Sequence, residues 1–251
     1  MTGSACWRGS PDCQSIWSAN NVKMKMKVDW YMPCMDETWW AYYRVQRLLR
    51  YVIPRDVTRK DEVAVAGSCA LFWYQEKNRV GPRWSSPNDI DIFVCGTEGR
   101  SKLNFKIFLC AVEANLESLG VNILSSSYRE SLYVHRDVPV SIVDYHLEGI
   151  PIKLSFVQAP LHLTIHDVVN DFDIDICRVV YHVHRQSFTV KKSDAESIAG
   201  REFQVLPVLF RKRGEPCKWE IQRMKSSMVR MKKYSERGFM AVNGHHGHFS
   251  P

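Results

Sequence analysis

The apolar and polar positions of the chain change period sharply between residues 63 and 95. Val63-Ala64-Val65-Ala66 is an apolar run without a polar break, which predicts a short buried strand. Gly67-Ser68 ends it and leads into a segment, Cys69 to Tyr74, with the composition of a helix. Asn78 to Pro87 then gathers Gly81, Pro82, Ser85, Ser86 and Pro87, the residues of a loop. In Asn88-Asp89-Ile90-Asp91-Ile92-Phe93-Val94-Cys95 two acids alternate with apolar residues, which predicts a second strand.

The flanking pattern supplies helices and further strands. Trp39, Trp40, Tyr43, Val45, Leu48, Leu49 and Val52 fall near a helical spacing, from an acidic start at Asp36-Glu37 to a stop at Pro54. Ser101 to Leu119 reads as a helix closed by Gly120. Strands are expected at Val121 to Leu124, Val140 to His146 and Ile150 to Gln158. The last two form a hairpin over Leu147-Glu148-Gly149. A short helix follows over Thr164 to Asn170, and then a strand, Asp171 to Tyr181, in which acids alternate with apolar residues. From Asp194 the pattern turns helical and basic, up to a cap at Gly238. The fold class is therefore α+β: a mixed sheet flanked by helices, with a helical basic C-terminal extension. Residues 1–35 are expected to be a poorly ordered lead-in, 36–190 the main domain, 191–240 the basic helical segment, and 241–251 a disordered tail carrying His245, His246 and His248.

Composition adds an address and a charge distribution. With 251 residues, 45% of them hydrophobic, the chain can bury one good core. It has no run of about 18 apolar residues, and Met1 to Asn21 lacks the apolar centre of a signal peptide. The expectation is an intracellular protein, cytoplasmic or nuclear, without a membrane partner. None of the eight cysteines forms a CxxC pair, which argues against a zinc site, and four lie in apolar runs as small hydrophobes. Residues 201–251 hold eleven Lys and Arg against four Glu, the whole of the formal excess of +7. Such a concentration reads either as a polyanion contact or as a solvated basic face.

Candidate chemistry centres on Asp89 and Asp91. Side chains two apart on a strand share a face, with Cα atoms roughly 6.5 Å apart, so both carboxylates can hold a hard cation such as Mg2+ or Mn2+. Gly67 allows the backbone close to a ligand, and the helix start after it offers N–H groups to a phosphate. Lys77, Arg79 and Arg83 border the loop, where they either hold a triphosphate or face solvent. Paired carboxylates beside a phosphate grip suit metal-assisted nucleotidyl transfer. The aromatic cluster of residues 39–43 either stacks on a base or packs in the core. His182 and His184 are either zinc ligands or surface histidines. No Gly-x-Ser-x-Gly elbow and no Gly-Lys-Ser/Thr loop is present.

The succession of strand, Gly67-Ser68, helix and Asp89-Ile90-Asp91 resembles the nucleotidyltransferase superfamily with the DNA polymerase beta fold. Together with Phe172-Asp173-Ile174-Asp175-Ile176-Cys177-Arg178-Val179 and the Arg230-Met231-Lys232-Lys233-Tyr234 helix, it is similar to a divergent group of nucleotidyltransferase-like proteins of large DNA viruses and eukaryotes, over residues 60–240. The resemblance implies Mg2+ (or Mn2+) on Asp89 and Asp91, NTP phosphates at Gly67, Ser68 and Arg83, transfer of an NMP to a hydroxyl acceptor, and RNA or other nucleic acid along residues 211–237. The family's third carboxylate belongs on the strand Ile150 to Val157, where this chain has Lys153 and Ser155. Asp144 is one replacement. Asp173 and Asp175, expected on one face of their strand, are the preferred one. Without a third acid, the expectation becomes a catalytically inactive nucleotide- or nucleic-acid-binding module of the same fold.

Overall fold

The computed structural model describes residues 37–54, 63–84, 87–95, 105–133, 138–160, 163–206 and 218–242. The expected lead-in, residues 211–217 of the basic stretch and the histidine tail lie outside the described residues, as do the side chains of Trp39 and Trp40.

Helix α1 (Glu37–Val52) is followed by β1 (Val63–Ala66), α2 (Ser68–Asn78), β2 (Asp89–Val94) and α3 (Phe105–Ser118). Then come β3 (Ile123–Tyr133), β4 (Val138–Leu147), β5 (Ile150–Gln158) and α4 (Ile165–Asn170). A single 3-10 turn (Asp175–Arg178) leads to β6 (Val180–His182) and β7 (Ser187–Thr189). The chain ends in α5 (Lys192–Gly200), β8 (Glu202–Phe203), α6 (Lys218–Glu236) and β9 (Met240–Ala241). The expected α+β architecture is what forms.

Seven strands make one mixed sheet in the order β3-β4-β5-β2-β1-β6-β7. β2 and β5 run parallel, while β1 is antiparallel to both β2 and β6. Alternation along the central strands sorts side chains onto two faces. Val63, Val65, Ile90, Ile92, Val94, Leu154 and Phe156 join the larger core with α1, α2 and α3. Ala64, Ala66 and Val180 face the smaller core built with α4. Asp91 lies in register with Ala66, so the acid pair stands on this second face. Helix α2 is buried at Cys69, Ala70, Leu71, Phe72, Trp73 and Gln75, as its nearly unbroken apolar sequence requires. Thr164 caps α4 through a reciprocal box with Asp167. Ile198, Phe203, Tyr234 and Phe239, from the C-terminal segment, enter the larger core beside the sheet residues. Among the described residues no helix is long and apolar enough to cross a membrane.

Two expectations are corrected. The strand predicted over Val121 to Leu124 runs from Ile123 to Tyr133. Its polar residues Ser125 to Glu130 are exposed, because β3 is an edge strand. The strand predicted over Asp171 to Tyr181 is instead a bend, a 3-10 turn and then β6. There Asp175 Oδ1 accepts the N–H groups of Ile176 (2.7 Å) and Gln204 (2.9 Å), so the carboxylate competes with a ladder for the backbone.

Candidate active site

The site begins at the turn between β1 and α2. Gly67 sits at φ 77°, ψ −147°, a conformation open to glycine and little else. Its N–H donates to the Cys177 carbonyl at 3.3 Å. A Cβ at Gly67 would lie 4.0 Å from Asp91 Oδ2. The glycine therefore leaves its space directly over the acid pair. Ser68 opens α2, whose first-turn N–H groups lack intrahelical acceptors by helix geometry.

Asp89 and Asp91 point the same way from β2, both half-buried. Burial, then the charge of Asp89, pushes the Asp91 carboxyl up to about 7, while Lys153 and Lys233 act against the shift and Asp144 adds to it. The thiol of Cys69, on the first turn of α2, is raised by burial and by the same two aspartates. Register explains the neighbours. Asp89 pairs with Lys153 and Asp91 with Ser155 on β5, and Ser155 pairs with Asp144 on β4. Lys153 and Ser155 thus occupy the strand next to the acid pair, and Asp144 stands one strand farther out on the same face. Asp144 is buried, with Oδ1 accepting from Ser155 Oγ at 2.6 Å, and Oδ2 lying 3.4 Å from Arg129 Nε and 3.7 Å from Lys153 Nζ. Burial opposes its charge, but Ser155, Lys153 and Arg129 outweigh burial and hold the carboxyl below its usual range.

Asp173 and Asp175 are engaged elsewhere, and the period-two argument that paired them fails with the strand. Asp173 accepts from Ser227 Oγ and from Arg230, at 2.6 Å to Nη2 and 3.2 Å to Nε, which fastens α6. Asp175 holds backbone N–H groups, as described above. Arg83 is exposed in the loop. Its neighbour Trp84 donates to Gln75 Oε1 at 2.7 Å and carries the Arg237 guanidinium 3.7 Å from its ring centre. His182 Nε2 is 2.9 Å from Thr189 Oγ1.

Sequence reasoning missed Lys233. Helix α6 is pinned by Arg230 to Asp173, by Tyr234 Oη 3.0 Å from Cys177 Sγ, and, just past its end, by Arg237 over Trp84. Lys233 lies within that pinned segment and is half-buried. Burial and Arg237 lower its pKa, while Asp89 and Asp91 pull it back up. The sequence signal was only a basic helix, and its packing is what brings one lysine within electrostatic range of the acids.

The donor set fits a hard divalent ion. Two carboxylates share a face, burial and then their repulsion raise one of them, and Mg2+ is commonly held by one or two carboxylates with substrate phosphates completing the shell. Among the described residues no group of three His, Cys, Asp or Glu side chains could hold a metal. No family model matches the chain, and no curated protein matches it. Among solved structures it is similar to the Thermotoga maritima CCA-adding enzyme complexed with tRNA-CCA, with 12% identity and a TM-score of 0.49. That likeness covers 84% of this chain and 43% of the other, so the chain spans less than half the enzyme's length.

Proposed function

We propose that the protein is a metal-dependent nucleotidyltransferase, binding an NTP at the mouth of β1 and β2 and moving its NMP to a hydroxyl acceptor. The observation that supports it is the acid pair of β2 under the Gly67 turn, with Asp91 raised by burial and then by Asp89. Asp89 and Asp91 would hold Mg2+ or Mn2+. An ion held there would supply positive charge to the phosphate oxygens at the reacting centre. Gly67 lets the phosphates approach the backbone, and the α2 N-terminus at Ser68 offers N–H donors. Lys153, in register with Asp89, and Lys233, within electrostatic range of both acids, would supply positive charge for the β- and γ-phosphates, with Arg83 at the exposed side of the loop. The acceptor oxygen bonds to the α-phosphorus, the bond to the β-phosphate bridge breaks, pyrophosphate leaves, and the acceptor proton passes to solvent. Among the described side chains of α6, Lys225 and Lys232 are the exposed cations that an RNA acceptor would meet.

Pyrophosphate release from each of the four NTPs, with Mg2+ or Mn2+, tests the reading. Asp89→Ala and Asp91→Ala should each abolish it. Full activity in the double variant would overturn the mechanism. A second reading, a nucleotide-binding module without transfer, is favoured by Lys153 and Ser155 beside the acid pair and by Asp144 being spent on Ser155, Arg129 and Lys153. It predicts Mg2+-dependent NTP binding by calorimetry without pyrophosphate release, and a gain of release in Ser155→Asp.

A further inference from the structure

Helix α1 turns Val45, Leu48, Leu49 and Val52 into the core. At about 100° per residue, the opposite arc runs from Gln46 through Arg50, Tyr43, Arg47 and Tyr51 to Arg44. Tyr43 is 55% exposed and Tyr51 40%, and Arg47 and Arg50 are exposed as well. No acid stands in the sequence from Trp39 to Val52. The arc is therefore a row of guanidinium groups and phenol rings, and the one acid of the helix, Glu37, stands in its first turn, before the arc begins. The two phenols lie about 12 Å apart along the axis.

Each rim of the arc opens on a cavity. Beyond Tyr43 and Gln46 is one of about 260 Å³, walled by Trp73, Tyr181 and Phe188 with Lys77 at its side. Lys77 Nζ is 5.4 Å from the Phe188 ring centre. Beyond Arg44, Arg47 and Tyr51 is one of about 180 Å³ that also reaches Asn122. Both are smaller than the roughly 300–1,000 Å³ of a drug-sized site. The first suits a single ring system and the second a phosphate group. One acid borders each cavity. Glu76 lines the first, and Glu148, in the second, takes the amide of Asn122 at 2.6 Å. Tyr181 is in register with Val65, whereas Asp91 is in register with Ala66, so the aromatic cavity lies across the sheet from the acid pair.

Aromatic faces interleaved with cations match a polynucleotide single strand: bases stack on the rings while phosphates pair with the guanidinium groups. An apolar protein partner would use the tyrosines but leave the arginines unmatched. We propose that the outer face of α1 binds single-stranded nucleic acid, with one base in the Tyr43–Phe188 cavity and an adjacent phosphate at Arg44 and Arg47. This surface needs neither Asp89 nor Asp91, and it stands whether or not the acid pair transfers nucleotides.

The test is fluorescence anisotropy of the full chain with labelled single-stranded RNA, single-stranded DNA of the same sequence, and their duplexes. The expected result is preferential single-strand binding that weakens steeply with salt. Tyr43→Ala and Arg47→Glu, both surface changes, should each cost about tenfold in affinity. Tyr43→Phe should retain binding, because the ring remains. Comparison of the RNA and DNA arms identifies which backbone is the natural one. Mg2+-dependent NTP binding should be unchanged in these variants, and Asp89→Ala should leave oligonucleotide affinity unchanged. Wild-type affinity in both Tyr43→Ala and Arg47→Glu would overturn the proposal. So would duplexes bound as tightly as single strands, or a loss seen only on changing Lys225 and Lys232.

Discussion

Asp91 is the residue on which the candidate chemistry turns, and it has a measurable signature. Its carboxyl titrates near 7 in the folded protein because burial and Asp89 disfavour its charge. An unfolded aspartate titrates near 4. Between those values the native state binds the extra proton, so stability falls as pH rises from about 4 to about 7. Asp91→Asn removes the titration. Its melting temperature should change less than that of the wild type between pH 5 and pH 8, and at pH 8 it should be more stable by about 1–2 kcal/mol. Thermal melts at the two pH values check this, and equal slopes in both proteins would contradict it. Gly67 answers to backbone conformation instead. At φ 77° the residue is strained for any L side chain, whereas the nearest atom to an added Cβ is at an ordinary 4.0 Å. Gly67→Ala should therefore cost about 1–3 kcal/mol through the backbone and weaken NTP binding, both readable by calorimetry.

At the scale of elements, α6 shows why a buried carboxylate need not be catalytic. Asp173 is 7% exposed and is shared by Ser227 and Arg230. Asp173→Ala should lower stability by about 2 kcal/mol, since Arg230 keeps contact with water, and shift the melting temperature down by about 4–8 °C. A metal-holding Asp173 would give the reverse: lost Mg2+-dependent NTP binding with an unchanged melt. The same element marks the boundary of what the sequence makes legible. β1, the Gly67 turn, α2 and β2 could be read because each signal is local: an apolar run, a glycine with a conformational demand, a period of two. The strand of Asp171 to Tyr181 was misread because alternating acids imitate a half-buried strand, while Asp175 in fact bonds backbone N–H groups near it. β3 beyond Leu124 left no pattern, since an edge strand with exposed residues on both faces needs none. Lys153 and Ser155 were legible as a departure, but the approach of Lys233 depends on tertiary packing that no local period encodes.

For the whole molecule, the C-terminal segment combines two properties that composition alone could not separate, positive charge and structural closure. Of the described cations on α6 and just past its end, Arg230 is held by Asp173, Arg237 lies over Trp84, and Lys233 is within electrostatic range of the acid pair, leaving Lys225 and Lys232 exposed. Tyr234 and Phe239 sit in the same core as Val65 and Ile92. Tyr234 also meets Cys177, whose carbonyl takes the Gly67 N–H. The helix thus reaches the phosphate turn through a chain of two contacts. A chain ending at residue 206 should therefore lose cooperative unfolding as well as net charge. Its calorimetric transition should broaden and fall below that of the full chain, and Mg2+-dependent NTP binding should disappear with it. Replacement of Lys225 and Lys232 by uncharged Gln separates the two properties. It removes the exposed positive charge yet should keep the melting temperature within about 2 °C, because surface changes of this kind cost at most about 0.5 kcal/mol. If the truncated chain melts as the full chain does and still binds the nucleotide, α6 is an appendage, and the assignment of Lys233 to the site falls with it.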